Sequence, residues 1–165
     1  MIPQLAIGKG NRLGKIASER DDGMLTPKWL FEQLDAVFKF DLDAACTSYN
    51  CLCDYGFYFD EGTNALEIGW GFNRVFCNPP FSGKAAWMKK AHHEVQNNSC
   101  PIVVMLLPTN SMDSKPWHQF VYPHYKFDIL EGRVSFLDPV TMLPKKGNNS
   151  GTTVVYFMKK PKRPV

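Results

Sequence analysis

The sequence predicts an α/β fold: an open, mostly parallel sheet flanked by helices and closed by an antiparallel edge. Three observations predict it. Strand-like apolar runs alternate with segments whose apolar residues recur at helical spacing, the alternation of a parallel sheet. The run 102–107 is apolar without interruption and is halted by Pro108, as in a strand covered on both faces. The last two apolar runs are joined by a Gly-, Asn- and Lys-containing loop at 139–151 with no helix between them, which suits an antiparallel return.

In chain order, residues 1–23 show no sustained period, are rich in Gly, Lys, Arg and Asp, and read as a basic flexible arm. Thr26-Pro27 reads as a helix start, Thr as N-cap and Pro at the first helical position. Trp29, Leu30, Leu34, Val37 and Phe38 follow on one helical face. Residues 40–43 form a short strand ending in Asp43, and 57–59 a second ending at Asp60-Glu61. The strand 74–77 feeds Asn78, and 85–96 is a helix with Trp87, Met88, Ala91 and Val95 on its apolar side. Further strands are predicted at 127–130, 134–137 and 152–158. The folded domain is taken as 24–160, with 161–165 a short basic tail.

A chain of 165 residues with 44% apolar content is long enough to bury one proper core. No run approaches the ~18 apolar residues of a membrane helix, and no signal-type segment opens the chain, so a cytoplasmic location is expected. Net charge is +3, concentrated in Lys9, Arg12, Lys15 and Arg20 at one end and Lys159, Lys160, Lys162 and Arg163 at the other. Basic arms on a near-neutral body suit phosphate contacts, though solvated termini look the same. Five cysteines, an odd count, are expected to be reduced. No metal is expected: Cys51-x-Cys53 is not a zinc-knuckle spacing, and His92-His93 diverge on a helix. The absence of G-x-G-x-x-G disfavours a nicotinamide dehydrogenase, and Ser82-Gly83-Lys84 lacks the glycine-rich lead-in of a phosphate loop.

The most informative stretch is Asn78-Pro79-Pro80-Phe81, set behind the apolar run Val75-Phe76-Cys77. Two prolines can simply end a strand, since they donate nothing to the ladder. In an open α/β sheet, however, ligands gather outside the carboxyl ends of the strands, and Asp43, Asp60 and Asn78 each end a predicted strand. There the turn offers a side-chain amide oxygen, a proline carbonyl and a flat ring, the parts needed to hold a planar exocyclic amine.

The turn and its ordered neighbours resemble the phage-type DNA N6-adenine methyltransferases, the phage Dam-like family. The resemblance runs from about Thr26 to the last strand. It is carried by Thr26-Pro27, Phe40-Asp41-Leu42-Asp43-Ala44-Ala45, Tyr58-Phe59-Asp60-Glu61 with Ala65-Leu66, Asn78-Pro79-Pro80-Phe81, Val104-Met105-Leu106-Leu107-Pro108, Gly132-Arg133-Val134-Ser135-Phe136 and Asn149 with Gly151.

The resemblance implies a class I S-adenosylmethionine-dependent methyltransferase fold (Rossmann-like), S-adenosylmethionine as methyl donor and adenine in double-stranded DNA as acceptor. It implies Asn78, Pro79, Pro80 and Phe81 as the catalytic turn. Thr26, Pro27, Asp43, Ala44, Ala45, Asp60 and Asn78 are implied at the cofactor, with Asp60 or Glu61 as the acidic ribose partner. The common glycine motif after the first strand is absent, because Ala44-Ala45-Cys46-Thr47-Ser48 holds no glycine. For DNA phosphates the candidates are Lys84, Lys145, Lys146 and Arg133, the last equally suited to pairing with a core acid. The same chemistry on RNA or on a protein glutamine, and an inert methyltransferase-like nucleic-acid binder, are the alternatives.

Overall fold

The computed structural model describes residues 24–97, 100–146 and 148–160, so the basic N-terminal arm and the tail at 161–165 lie outside the described residues. The elements are α1 (Lys28–Phe38), β1 (Leu42–Cys46), β2 (Tyr55–Tyr58), β3 (Arg74–Cys77), α2 (Lys84–Asn97), β4 (Ile102–Pro108), α3 (Lys115–Phe120), β5 (Lys126–Ile129) and β6 (Thr152–Met158). The strands form one sheet in the order β2-β1-β3-β4-β6-β5. β2, β1, β3 and β4 pair in parallel, and β6 runs antiparallel to both β4 and β5. The antiparallel strand thus lies one place in from the edge, consistent with a Rossmann-like methyltransferase sheet.

β4 shows why the central strands read as solid apolar runs. All seven of its residues are buried. Val103, Met105 and Leu107 pack on one face with Trp87, Met88, Ala91 and Val95 of α2, while Ile102, Val104 and Leu106 pack on the other with Leu30 and Phe31 of α1. A charged pair is built into the first of these layers. Glu94, 1% exposed, accepts from Trp70 N at 3.0 Å and from Lys90 Nζ at 2.5 Å, which seats the Trp70 loop on α2.

Three expectations are corrected. The N-cap of α1 is Pro27, not Thr26: Leu30 N and Phe31 N both donate to the Pro27 carbonyl, and the Thr26 hydroxyl is engaged elsewhere. β1 starts at Leu42 and runs on to Cys46, so Asp43 lies inside the strand instead of ending it. Residues 134–137 are not a strand. Val134 and Phe136 are buried between exposed Arg133 and Ser135, which mimics strand periodicity, but Leu137 makes only single bridges, to Leu25 and Pro144. No helix among the described residues is long and apolar enough to cross a membrane.

Candidate active site

The site is built where β3 stops. Asn78, Pro79 and Pro80 are all buried, and the chain then turns through a single 3-10 turn at Phe81–Gly83, closed by Gly83 N donating to Pro80 O at 3.1 Å, into α2. Asn78 is 5% exposed. Its Nδ2 donates to Thr26 Oγ1 at 3.0 Å and to Met24 O at 3.3 Å. Both amide hydrogens are therefore spent inside the protein, which fixes the amide plane and leaves Oδ1 as the atom available to a ligand.

Two cavities flank the turn. The larger, about 580 Å³, is lined by Asn78, Thr26, Phe76, Asp43, Ala45 and the 49–52 loop, with Glu32 and Asp35 of α1 at its side. The smaller, about 240 Å³, is lined by Phe81, Met24, Lys84, Pro108, Asn110, Lys145, Lys146 and residues 148–150. Asn78 faces the first cavity and Phe81 the second, so four consecutive residues bridge them. The Phe81 ring rests edge-on against Phe136, centroids 6.4 Å apart at 90°, which steadies it without covering it.

Asp43 is the buried acid of the larger cavity. Its carboxylate accepts from Ala45 N at 3.1 Å and Leu52 N at 3.3 Å, pinning the loop after β1 over the strand. Burial pushes its pKa up. Beside it the thiols of Cys46 and Cys51 face each other: the interaction between them, and then burial, pushes the Cys46 pKa up, while the same interaction draws that of Cys51 down against the opposing effect of burial. Backbone carbonyls are the other acceptors within reach of these two S–H groups, Asp43 O at 3.6 Å from Cys46 Sγ and Cys53 O at 3.3 Å from Cys51 Sγ. Gly56 is required here, since a Cβ would come within 2.4 Å of Cys51 Sγ and 2.5 Å of Cys46 Sγ. Asp43, Cys46 and Cys51 are the one group among the described residues with metal-ligand spacing, and the paired histidines are not part of it.

The family model of DNA N-6-adenine-methyltransferase (Dam) matches residues 14–165. The chain belongs to this family. A DNA N-6-adenine-methyltransferase of Escherichia phage T1 is 29% identical over 152 residues, covering 81% of this chain and 61% of the phage protein. The chain thus spans about three-fifths of the length of that relative.

Within this family member, the sequence-predicted residues sort by position. Thr26, Asp43, Ala45 and Asn78 line the larger cavity, whereas Ala44 is buried in the core instead. Pro27 caps α1 without lining either cavity. Asp60 lies outside both. Its carboxylate accepts from Ser48 N at 2.9 Å and Ser48 Oγ at 2.5 Å, holding the loop after β1 from behind. The acids that do line the larger cavity are Asp43, Glu32 and Asp35, and the two from α1 went unread because their spacing looks like an ordinary solvated helix face. Lys84, Lys145 and Lys146 line the smaller cavity together. Arg133 lines neither; it is exposed and lies over Gly151, where a Cβ would approach its Nη1 to 3.3 Å. Asn110 of the smaller cavity was also missed, sitting in a connection with no pattern of its own.

Proposed function

We propose that this chain is a site-specific DNA adenine N6-methyltransferase that takes its methyl group from S-adenosylmethionine and acts on a base flipped out of double-stranded DNA. The observation that carries the reading is the Asn78 amide, with both hydrogens committed to Met24 and Thr26 and Oδ1 left over, at the junction of two cavities. Family membership supports the same reaction class.

The larger cavity fits the donor in size and chemistry. Its volume lies in the range of small-molecule sites. It offers apolar walls from Phe31, Phe76 and Leu137 and carboxylates from Asp43, Glu32 and Asp35 for a cationic ligand with a ribose diol. When bound, S-adenosylmethionine supplies an electrophilic methyl group on a sulfonium.

The chain's own residues hold the acceptor. The amine of adenine is a poor nucleophile because its lone pair is delocalised into the ring. Asn78 Oδ1 and the Pro79 carbonyl each accept one N6 hydrogen, which favours a pyramidal nitrogen with its lone pair aimed across the turn at the larger cavity. With the donor held in the larger cavity, N6 would take the methyl group in place of sulfur, and the methylated amine would then lose one proton to solvent. Positioning and electrostatics suffice for this step. Phe81 stacks on the flipped base in the smaller cavity, and Lys84, Lys145 and Lys146 meet the phosphates around it.

The test is transfer of labelled methyl from S-adenosylmethionine to unmethylated genomic DNA and to tRNA, followed by digestion to nucleosides. Label in N6-methyladenosine's deoxy form supports the reading. Label only in tRNA moves the acceptor to RNA, and no label with a folded protein overturns the activity.

A further inference from the structure

The segment from Asp138 to Lys146 gathers exposed apolar side chains on one turn. Val140 is 88% exposed and Leu143 64%, two large apolar side chains held in water within four residues of each other. The turn that presents them is not a slack loop. Val140 N and Thr141 N both donate to Asp138 Oδ1 at 2.9 Å, Met142 N donates to Asp138 O at 2.8 Å, and Asp138 N donates to Leu143 O at 2.9 Å. Met142 takes a left-handed backbone, φ 58°, to close the turn, and its side chain lines the larger cavity.

The base of the turn is tied to the catalytic residue. Leu137 and Leu25 exchange two backbone hydrogen bonds of 2.9 Å, and residues 24 and 26, on either side of Leu25, accept from the Asn78 amide. Beyond the turn, Lys145 N donates to Phe136 O at 2.7 Å, and Lys145 and Lys146 line the smaller cavity. A stiff apolar turn therefore connects the linings of the two cavities: Met142 lines the larger, and Lys145 and Lys146, which follow directly, line the smaller one proposed for the flipped base.

We infer that Val140 and Leu143 form a wedge that enters the base stack of duplex DNA and fills the space left by the flipped nucleotide. The inference rests on the reading of the two cavities given above. Apolar side chains inserted between base steps offset the cost of unstacking, and the lysines beside them supply the charge complementarity to the backbone that a hydrophobic tip lacks. An apolar protein partner would gain nothing from those lysines, so the duplex is the occupant these observations favour.

The experiment uses the whole chain and the double variant Val140→Ser/Leu143→Ser, both exposed positions whose backbone bonds are retained. Duplex DNA carrying 2-aminopurine in place of some adenines reports unstacking by its fluorescence, and anisotropy of the same DNA reports binding. Wild type is expected to raise the fluorescence, and the variant to lose most of that rise while binding within about threefold. Methyl transfer to duplex DNA should fall about tenfold or more, as unstacking then goes uncompensated. An equal fluorescence rise in both proteins, or none in wild type, overturns the wedge. A rise that depends on the wedge in a wild-type protein that transfers no methyl group would instead overturn the activity and leave the wedge standing.

Discussion

Replacing Thr26 by valine tests whether the Asn78 amide is held in place or merely happens to lie there. Valine keeps the shape of threonine and removes one acceptor, Oγ1, which lies 3.0 Å from Asn78 Nδ2. Thr26 is 8% exposed and Asn78 5%, so water cannot readily replace the lost partner. An unpaired buried amide hydrogen costs about 1–3 kcal/mol. The amide escapes that cost only by turning, which moves Oδ1 off its line. Since about 1.4 kcal/mol is tenfold in rate, methyl transfer should fall roughly 5- to 150-fold. The assay is single-turnover transfer to DNA, with calorimetric binding of S-adenosylhomocysteine alongside. The loss should fall on the transfer rate while cofactor affinity stays within a few-fold, and Thr26→Ser, which keeps the hydroxyl, should restore most of it. A wild-type rate for Thr26→Val would refute the positioning argument. A loss confined to cofactor affinity would make Thr26 a cofactor contact and nothing more.

Three further outcomes are expected. Glu94→Ala leaves Lys90, 12% exposed at its side chain, without its partner and Trp70 N without an acceptor; urea unfolding should show a loss of about 3 kcal/mol, and a loss below about 1 kcal/mol would class the pair with surface ion pairs. Substituting Lys145 and Lys146 by alanine should flatten the slope of log affinity for DNA against log salt by up to about 1.8, and an unchanged slope removes both from the phosphate footprint. His92 has its pKa lowered by burial and then by His124 and His93, and its Nδ1 lies 2.9 Å from Tyr125 Oη. Its contribution to stability is therefore full above the ordinary 6.5 of histidine and is lost as pH falls below that value. His92→Gln should make the urea midpoint less sensitive to pH between about 7 and 5, and an equal or steeper dependence would contradict the direction of the shift.

The sheet was largely legible because its central strands advertise themselves. β3 and β6 fall where their apolar runs place them, and β4 extends one residue further, through Pro108. The Asn78–Phe81 turn was legible for a related reason, as prolines after such a run leave few conformations open. What could not be read was the identity of neighbours. The run 134–137 alternates like a strand, yet its two buried residues, Val134 and Phe136, pack into the layer with α1 with no strand edge beside them. α3 is only six residues long; its signal was local, Ser114 accepting from Trp117 N with a proline in the first turn. The partner of Asp60 was not legible either: it lies in the 3-10 turn after β2, and its carboxylate accepts from Ser48, twelve residues back. Thr26 stood out by its place before the helix, but its bond to Asn78 did not, because the partner lies 52 residues away.

The proposed transfer depends on Asn78 Oδ1 as the acceptor that holds the reacting amine. The most direct measurement is single-turnover methyl transfer by Asn78→Ala to duplex DNA, with cofactor affinity measured on the same sample. Loss of a preorganised group of this kind costs about a hundredfold or more in the chemical step. The predicted result is transfer reduced at least that far with cofactor binding within a few-fold of wild type. Transfer within a few-fold of wild type by a folded Asn78→Ala protein would contradict it.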